Sequence, residues 1–357
     1  MADQADVIII GAGPAGLSCA MHLAKEGVRV LVLEEKTTLT GKICGDGISS
    51  LGVYLLEKMG IPRGELLQAG GVRIDHNVTY NMANREIRHY RYVQGSCYAD
   101  CSIGLSRDLL DTFLAKKAED AGAVLQLGTR VKHVVKDPGG AGYTVDGRYH
   151  ARHVVFACGV RGAIAMGILP PLPEPYRLCA GISERIVGHS IFAPDSFYFL
   201  QHPAFGEGYA WLFPCGEHLW NFGVWSADHQ RDLRALFGTC RDIVCGQYFT
   251  SCRGARRPGG AIIGAMPPLP QGITLPVNRD AIGDAGLYAQ WRNGEGISSA
   301  LWSGMKKAER ILHPERDISL SLPPLPEKFP ESFPENLPQK QVPVPDFVPG
   351  DPFCSPA

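Results

Sequence analysis

The chain opens on a short apolar run, Val7–Ile10, that ends abruptly in glycine. A run so short and uniform predicts a strand buried on both faces, since a half-buried strand alternates. After Gly11-Ala12-Gly13-Pro14-Ala15-Gly16, apolar residues recur at Leu17, Ala20, Met21, Leu23 and Ala24, the spacing of one helix face. Gly27 stops that helix, and 28–33 predicts a second buried strand ending in Glu34. Residues 48–59 predict a helix closed by Gly60-Ile61-Pro62, and 70–95 alternate like strands with a turn near 81–84. A helix is expected over about 106–121, with Ser106 as N-cap and Gly122 just past its end. Strands are expected around 125–127, 131–135, 143–145 and 153–157, with a Gly/Pro turn at 137–142.

From about 163 to 270 the pattern changes. Phe192, Phe197, Tyr198, Phe199, Tyr209, Trp211, Phe213, Trp220, Phe222 and Trp225 crowd short alternating runs, which predicts an antiparallel sheet with one face on a cavity. A helix is expected over 228–249, residues 273–286 return to the parallel-sheet idiom, and 296–311 predict a last amphipathic helix. Beyond His313 proline recurs too often for helix or central strand, so 314–357 are expected as an extended tail. The fold class predicted is α/β: a Rossmann-like domain with a parallel sheet, plus an inserted antiparallel β-sheet domain.

Composition narrows the function. With 357 residues, 45% hydrophobic and 20% charged, the chain is long and apolar enough for a large core. Its 35 basic and 36 acidic side chains leave a net charge of -1, which gives no electrostatic case for nucleic acid. The N-terminus lacks a basic n-region and no apolar run is long enough for a bilayer, so a cytoplasmic protein is expected, with peripheral membrane contact left open. Eleven scattered cysteines show no CxxC and no zinc spacing; reduced thiols and no metal are expected.

Strand, glycines, helix, second strand and closing acid together form the dinucleotide fingerprint in its required context. The glycines admit a pyrophosphate to the backbone, and the helix N-terminus favours its charge. Glu34 is placed to accept hydrogen bonds from an adenosine ribose and disfavours a 2′-phosphate there. An adenosine-containing ligand follows, either FAD or NAD.

Four further stretches decide between them: "KICGDGI", "LSRDLLDTFL", "YAWLFP" and "GDAGLYAQWRNGEGISSALWSGMKKAE". In this order they resemble the p-hydroxybenzoate hydroxylase-type flavoproteins, and within these the geranylgeranyl reductase family, over roughly residues 5–312. The resemblance implies FAD as cofactor, held by Gly11, Gly13, Ala15, Gly16, Glu34 and Glu35 in the first segment. Lys42, Cys44 and Gly45 would lie near the flavin, Arg107 would contact FAD, and Val131 and Gly159 would complete the middle segment. Gly283 and Asp284 would meet the ribitol, and Gly294, Gly296 and Ile297 would open a helix aimed at the pyrimidine ring. The FAD-binding domain is then expected from 1–72, 97–162 and 271–313, and the substrate-binding sheet domain from 73–96 and 163–270.

Tyr209, Trp211 and Phe213 alternate onto one strand face, which the resemblance makes an aromatic wall along an apolar substrate. Trp291, where many relatives carry proline, joins the substrate-binding set. Catalytic roles fall to Cys44, Tyr209 and Trp211, with Cys44 or Tyr209 as proton donor. This chain departs from the hydroxylase relatives at "VVFACGVRG", where Cys158 stands in place of an aspartate tied in them to cofactor and NAD(P)H handling. The implied activity is hydride transfer between flavin N5 and an apolar, isoprenoid substrate, with C=C reduction favoured. A monooxygenase or halogenase acting through a flavin hydroperoxide is the alternative enzyme, and a flavin-holding binding module the alternative class. NAD(P)H, ferredoxin and a flavin reductase remain open as electron donors.

Overall fold

In a computed structural model of the chain, four parallel strands run in the order His153–Phe156, Val7–Ile10, Val30–Leu33, Val124–Gln126. The described residues are 4–319 without 85, 93–97, 174–175, 229–230, 256, 267–274, 276–277 and 292. The expected tail beyond 319 lies outside them, as do 273, 274, 276 and 277; in the rest of the strand idiom expected over 273–286, Ala281 makes a single parallel bridge to Phe156 and Gly283–Gly286 form a 3-10 turn instead of strand. Two compact units divide the chain. The first takes in Met1–Lys42, Asp108–Leu178 and Ile262–Pro323; among the described residues the second is Ile43–Arg107 and Cys179–Ala261. In contact terms, therefore, 43–72 pack with the aromatic sheet.

In the first unit, Val7, Ile8 and Ile9 are wholly buried in the middle of the sheet, as their unbroken apolar run requires. Asp6 ties three neighbouring strand starts together, accepting hydrogen bonds from Arg29 at 3.0 Å and Arg152 at 2.7 Å. Those two guanidiniums hold its carboxyl far below the usual carboxylate range. The Pro14–Lys25 helix has proline at its first position, where no N–H is needed. The Ile297–Leu312 helix packs along it, with Ser18 Oγ donating to the Leu301 carbonyl at 2.9 Å. A three-stranded antiparallel meander, Tyr149–Ala151, Tyr143–Val145 and Val134–Lys136, shares a core with the parallel sheet. The strand expected at 131–135 starts late because the Asp146 carboxylate takes the Lys132 and His133 N–H groups from the ladder.

The second unit is an eight-stranded sheet ordered Phe249–Gly254, Ala180–Ser190, Leu219–Ser226, Gly208–Gly216, Ser196–Gln201, His76–Asn81 and Ile87–Arg91, with Gly259–Ile262 off this path. Along this path it is antiparallel except where Ser196–Gln201 runs parallel to His76–Asn81. Alternation sorts its faces. Tyr198, Leu200, Leu212, Phe222 and Val224 join a core with Phe237, Val244 and Tyr248 of the Leu233–Tyr248 helix. That helix begins later than expected because Asp232 caps it, accepting from Arg234 and Ala235 N–H. A small sheet, Gly47–Ile48, Ser102–Gly104 and Val72–Ile74, abuts the Gly208–Gly216 strand. Gly104 lies so near the Pro214 carbonyl that a Cβ would stand 1.7 Å from its oxygen. Pairing of Ile48 with Ile103 moves the start of the next helix to Ser50, capped by Ser49.

One expectation about the thiols is corrected. Cys245 and Cys252 form a disulfide, because the helix runs directly into the Phe249–Gly254 strand and brings the two Cα atoms to 5.6 Å. Cys19, Cys101, Cys179, Cys215 and Cys240 are free and buried. Among the described residues no helix is long and apolar enough to cross a membrane.

Candidate active site

The glycine turn of the first unit is built around absent side chains. At Gly11, φ is 109° and a Cβ would stand 2.4 Å from the Ala157 carbonyl oxygen; at Gly16 it would stand 2.1 Å from that of Gly11. Neither position admits more than hydrogen. Gly13 differs, for nothing lies within 4 Å of where its Cβ would be. It is the N-cap of the Pro14–Lys25 helix and gives no side-chain cap, so the first helical N–H groups are left to a ligand anion. Glu34 closes the turn: Oε2 accepts the Ala12 N–H at 2.8 Å and Oε1 the Lys36 N–H at 3.0 Å. A carboxylate has lone pairs to spare for ribose hydroxyls as well.

A second glycine turn in the same unit repeats the device. Gly283 takes φ 58°, and a Cβ there would press to 2.8 Å from the Ala15 Cβ. Asp284 follows, its Oδ1 3.6 Å from the missing Cβ of Gly296. Its carboxylate accepts no hydrogen bond among the described residues. Gly296 in turn caps the buried Ile297 start of a 16-residue helix with no side-chain bond. Gly294 turns the preceding chain at φ 67°. Of the remaining expected contacts, Glu35 is exposed beside Arg130, Val131 is in the sheet core, and Gly159 opens the Gly159–Ala165 helix at φ 69°. Cys158, that helix's N-cap, is a neutral thiol, pushed up to about 11 by burial. Trp291 also belongs to this unit, and Lys42 is the last residue of its first segment. Two uncapped helix starts, an open Gly13 and an unpartnered Asp284 fit a ligand with a pyrophosphate and a polyhydroxyl chain.

In the second unit the loop after Lys42 lies on aromatic rings. A Cβ on Gly45 would meet Trp211 Nε1 at 3.3 Å, and one on Gly47 would meet Phe213 at 3.1 Å and Phe197 at 3.2 Å. The wall is continuous: Phe197 and Phe213 centroids are 4.3 Å apart, Phe199 and Tyr209 5.3 Å, Tyr209 and Trp225 5.5 Å. Structure thus brings Trp211 and Phe213 to the loop, and Tyr209 lies further along the same face. Cys44 is partly buried, and burial raises its thiol above the ordinary range, against the pull of the Arg107 guanidinium hydrogen-bonded to it. Arg107 itself is buried, with its backbone N–H on Asp46 Oδ1 at 2.9 Å.

Three residues escape the sequence reading. Asp46 is wholly buried in left-handed backbone, φ 61°, with its carboxylate on Arg185 at 2.7 Å and on Asn221 at 2.7 Å. Arg185 and Asn221 stand opposite one another in the antiparallel register, and no local sequence pattern shows that pairing.

Residues 4–168 match the FAD binding domain family. Digeranylgeranylglycerophospholipid reductase 2 of Methanopyrus kandleri is 31% identical over 229 residues, which span 61% of this chain and 54% of that one. Reductase 1 of the same organism is 28% identical over 315 residues, 84% of this chain and 78% of the relative. The menaquinone reductase of Mycolicibacterium smegmatis is 27% identical over 354 residues, 87% and 76% of the two chains. A crystal structure of a geranylgeranyl bacteriochlorophyll reductase-like protein from Thermoplasma acidophilum shares the fold, with TM-score 0.70 and 23% identity over 89% of this chain and 80% of that one. A flavin-dependent brominase shares it at TM-score 0.66 and 17% identity, over 87% and 79%. Fold and glycine cradle define an FAD-binding flavoprotein of the oxidoreductase class. Within that class the chain is similar to proteins named digeranylgeranylglycerophospholipid reductase and menaquinone reductase.

Proposed function

We propose that the protein reduces carbon–carbon double bonds in an isoprenoid chain. The observation that carries this reading is a neutral thiol, Cys44, on a glycine loop laid directly over Trp211 and Phe213. The relatives named for prenylated lipids and for menaquinone support an isoprenoid as the shared substrate chemistry.

FAD, when bound, supplies the hydride equivalent such a reduction needs. The N–H groups after Gly13 would hold its pyrophosphate, Glu34 its ribose and Asp284 its ribitol, and the helix start at Gly296 would favour negative charge on its ring. Addition across a C=C also needs a proton on the second carbon. Cys44 gives that proton, with Tyr209 the rival donor, and burial suits a thiol to the task by keeping it protonated at neutral pH. Trp211, Phe213 and Tyr209 give the apolar chain a rigid wall and exclude water.

The test is anaerobic. Purified protein with its flavin chemically reduced is mixed with geranylgeranyl diphosphate, or with a menaquinone, and followed by absorbance and lipid mass. Reoxidation without oxygen, with a gain of two hydrogens in the prenyl chain, is expected. Flavin that stays reduced until air enters would transfer the assignment to an oxygen-using enzyme.

A further inference from the structure

The Cys44 loop is fastened by a buried carboxylate that the proposed reduction does not consume. Asp46 is 0% exposed, and four donors converge on it. Arg185 gives Nε to Oδ2 at 2.7 Å and Nη2 to Oδ1 at 3.1 Å; Asn221 Nδ2 reaches Oδ2 at 2.7 Å, and the Arg107 N–H reaches Oδ1 at 2.9 Å. The left-handed backbone at Asp46 is uncommon outside glycine, and aspartate is among the few side chains that tolerate it. Glycine there would relieve the backbone and abolish the knot.

Asn221 is the member that reaches beyond the loop. Its amide, 2% exposed, donates to the Cys44 carbonyl at 2.7 Å as well as to Asp46. Its Oδ1 accepts the Trp211 indole N–H at 2.8 Å. Chemistry leaves the amide only one orientation, because an indole N–H only donates while a carbonyl and a carboxylate only accept. Ser183 Oγ adds a second donor to the Cys44 carbonyl at 3.3 Å. One side chain therefore joins the peptide that carries the thiol to the ring that forms the wall. Gly223 supports the same geometry from beneath: a Cβ there would stand 2.2 Å from the Trp211 ring, so only glycine lets the indole lie on the sheet.

We propose that Asn221 is a positioning residue that fixes the Cys44 peptide against the Trp211 indole, with Asp46 and Arg185 fixing Asn221 in turn. This rests on the reading that Cys44 and Trp211 serve the reduction, but the tie itself can be measured without turnover.

The experiment uses the full flavin-loaded chain and the variants Asn221→Leu, Asp46→Asn and Trp211→Phe. Two readouts are taken besides flavin content: the iodoacetamide labelling rate of the Cys44 peptide by mass spectrometry, and kcat and KM with geranylgeranyl diphosphate. Asn221→Leu and Asp46→Asn should change Cys44 labelling severalfold at unchanged flavin content. Asn221→Leu should lower kcat by about 10- to 100-fold with little change in KM, the scale of a misplacement near 1 Å. Trp211→Phe keeps an aromatic ring but removes the bonded N–H together with part of the indole, so it should lower kcat too, and Asn221→Leu added to it should cost little more. Should Asn221→Leu not fold, Trp211→Phe and Asp46→Asn carry the test. Wild-type labelling and kcat in the variants that fold, or additive losses in the double variant, overturn the proposal. If the wild type reduces no prenyl compound, the reading above fails, while an altered Cys44 labelling rate still upholds the tie and an unaltered one sinks it.

Discussion

Gly13 and Gly16 show how much a single missing methyl decides, and how differently. A Cβ on Gly16 would collide with the Gly11 carbonyl at 2.1 Å, so alanine there overpacks the turn itself. The cost is of the order of 1–3 kcal/mol, and the chain should lose both thermal stability and flavin. At Gly13 the backbone is ordinary extended, φ -83°, and the space beyond is open. Gly13→Ala should therefore fold with an unchanged melting temperature and yet bind FAD poorly, because the methyl stands where the ligand belongs. Flavin-to-protein ratio and melting temperature, read together on both variants, check this; a fully loaded Gly13→Ala would refute the cradle. These glycines were legible in the sequence because a turn between strand and helix has few solutions. Asp46 was not, since its role depends on Arg185 and Asn221, distant strand residues whose register no local pattern displays.

Elements were legible where their own residues settle them. The Val7–Ile10 strand, the Pro14–Lys25 helix and the last helix follow from period and punctuation. Boundaries moved wherever a side chain competed with the backbone, as Asp146 does before Val134 and Asp232 before Leu233. The parallel pairing of Ser196–Gln201 with His76–Asn81 joins distant segments, so alternation marks both strands without revealing their partner. Asp6 yields a prediction at this scale, since it clasps the starts of three strands through Arg29 and Arg152. Its folded carboxyl lies far below the unfolded value of about 3.9. The clasp therefore contributes fully above that value and is lost as pH falls toward the folded one. Asp6→Asn should lower the melting temperature at pH 7, and the gap to wild type should narrow steadily below about pH 4. Because both arginines are exposed, solvent screening keeps the contribution of each pair small. A gap that stays constant from pH 7 to pH 3 would show that the clasp is not electrostatic.

On the proposed function, the glycine turns of the first unit hold FAD, and the aromatic wall and a candidate acid belong to the second. Proton delivery then belongs to Cys44 or to Tyr209, and pH separates them. An acid must hold its proton to act, so turnover is flat at low pH and falls as pH rises through the acid's folded pKa. Burial raises the Cys44 thiol, so that fall should come above the ordinary thiol range rather than near neutrality. The prediction is a rate of anaerobic prenyl reduction that holds level past pH 8 and declines only in the alkaline range, measured within the limits of protein stability. Cys44→Ala should lose most of the rate and also the alkaline limb, whereas Tyr209→Phe should weaken substrate binding and keep the limb. If the limb survives in Cys44→Ala and vanishes in Tyr209→Phe, the tyrosine is the acid and the cysteine only shapes the loop. Both outcomes leave the aromatic wall in place, because Trp211 and Phe213 meet the loop through Gly45 and Gly47 and not through the thiol.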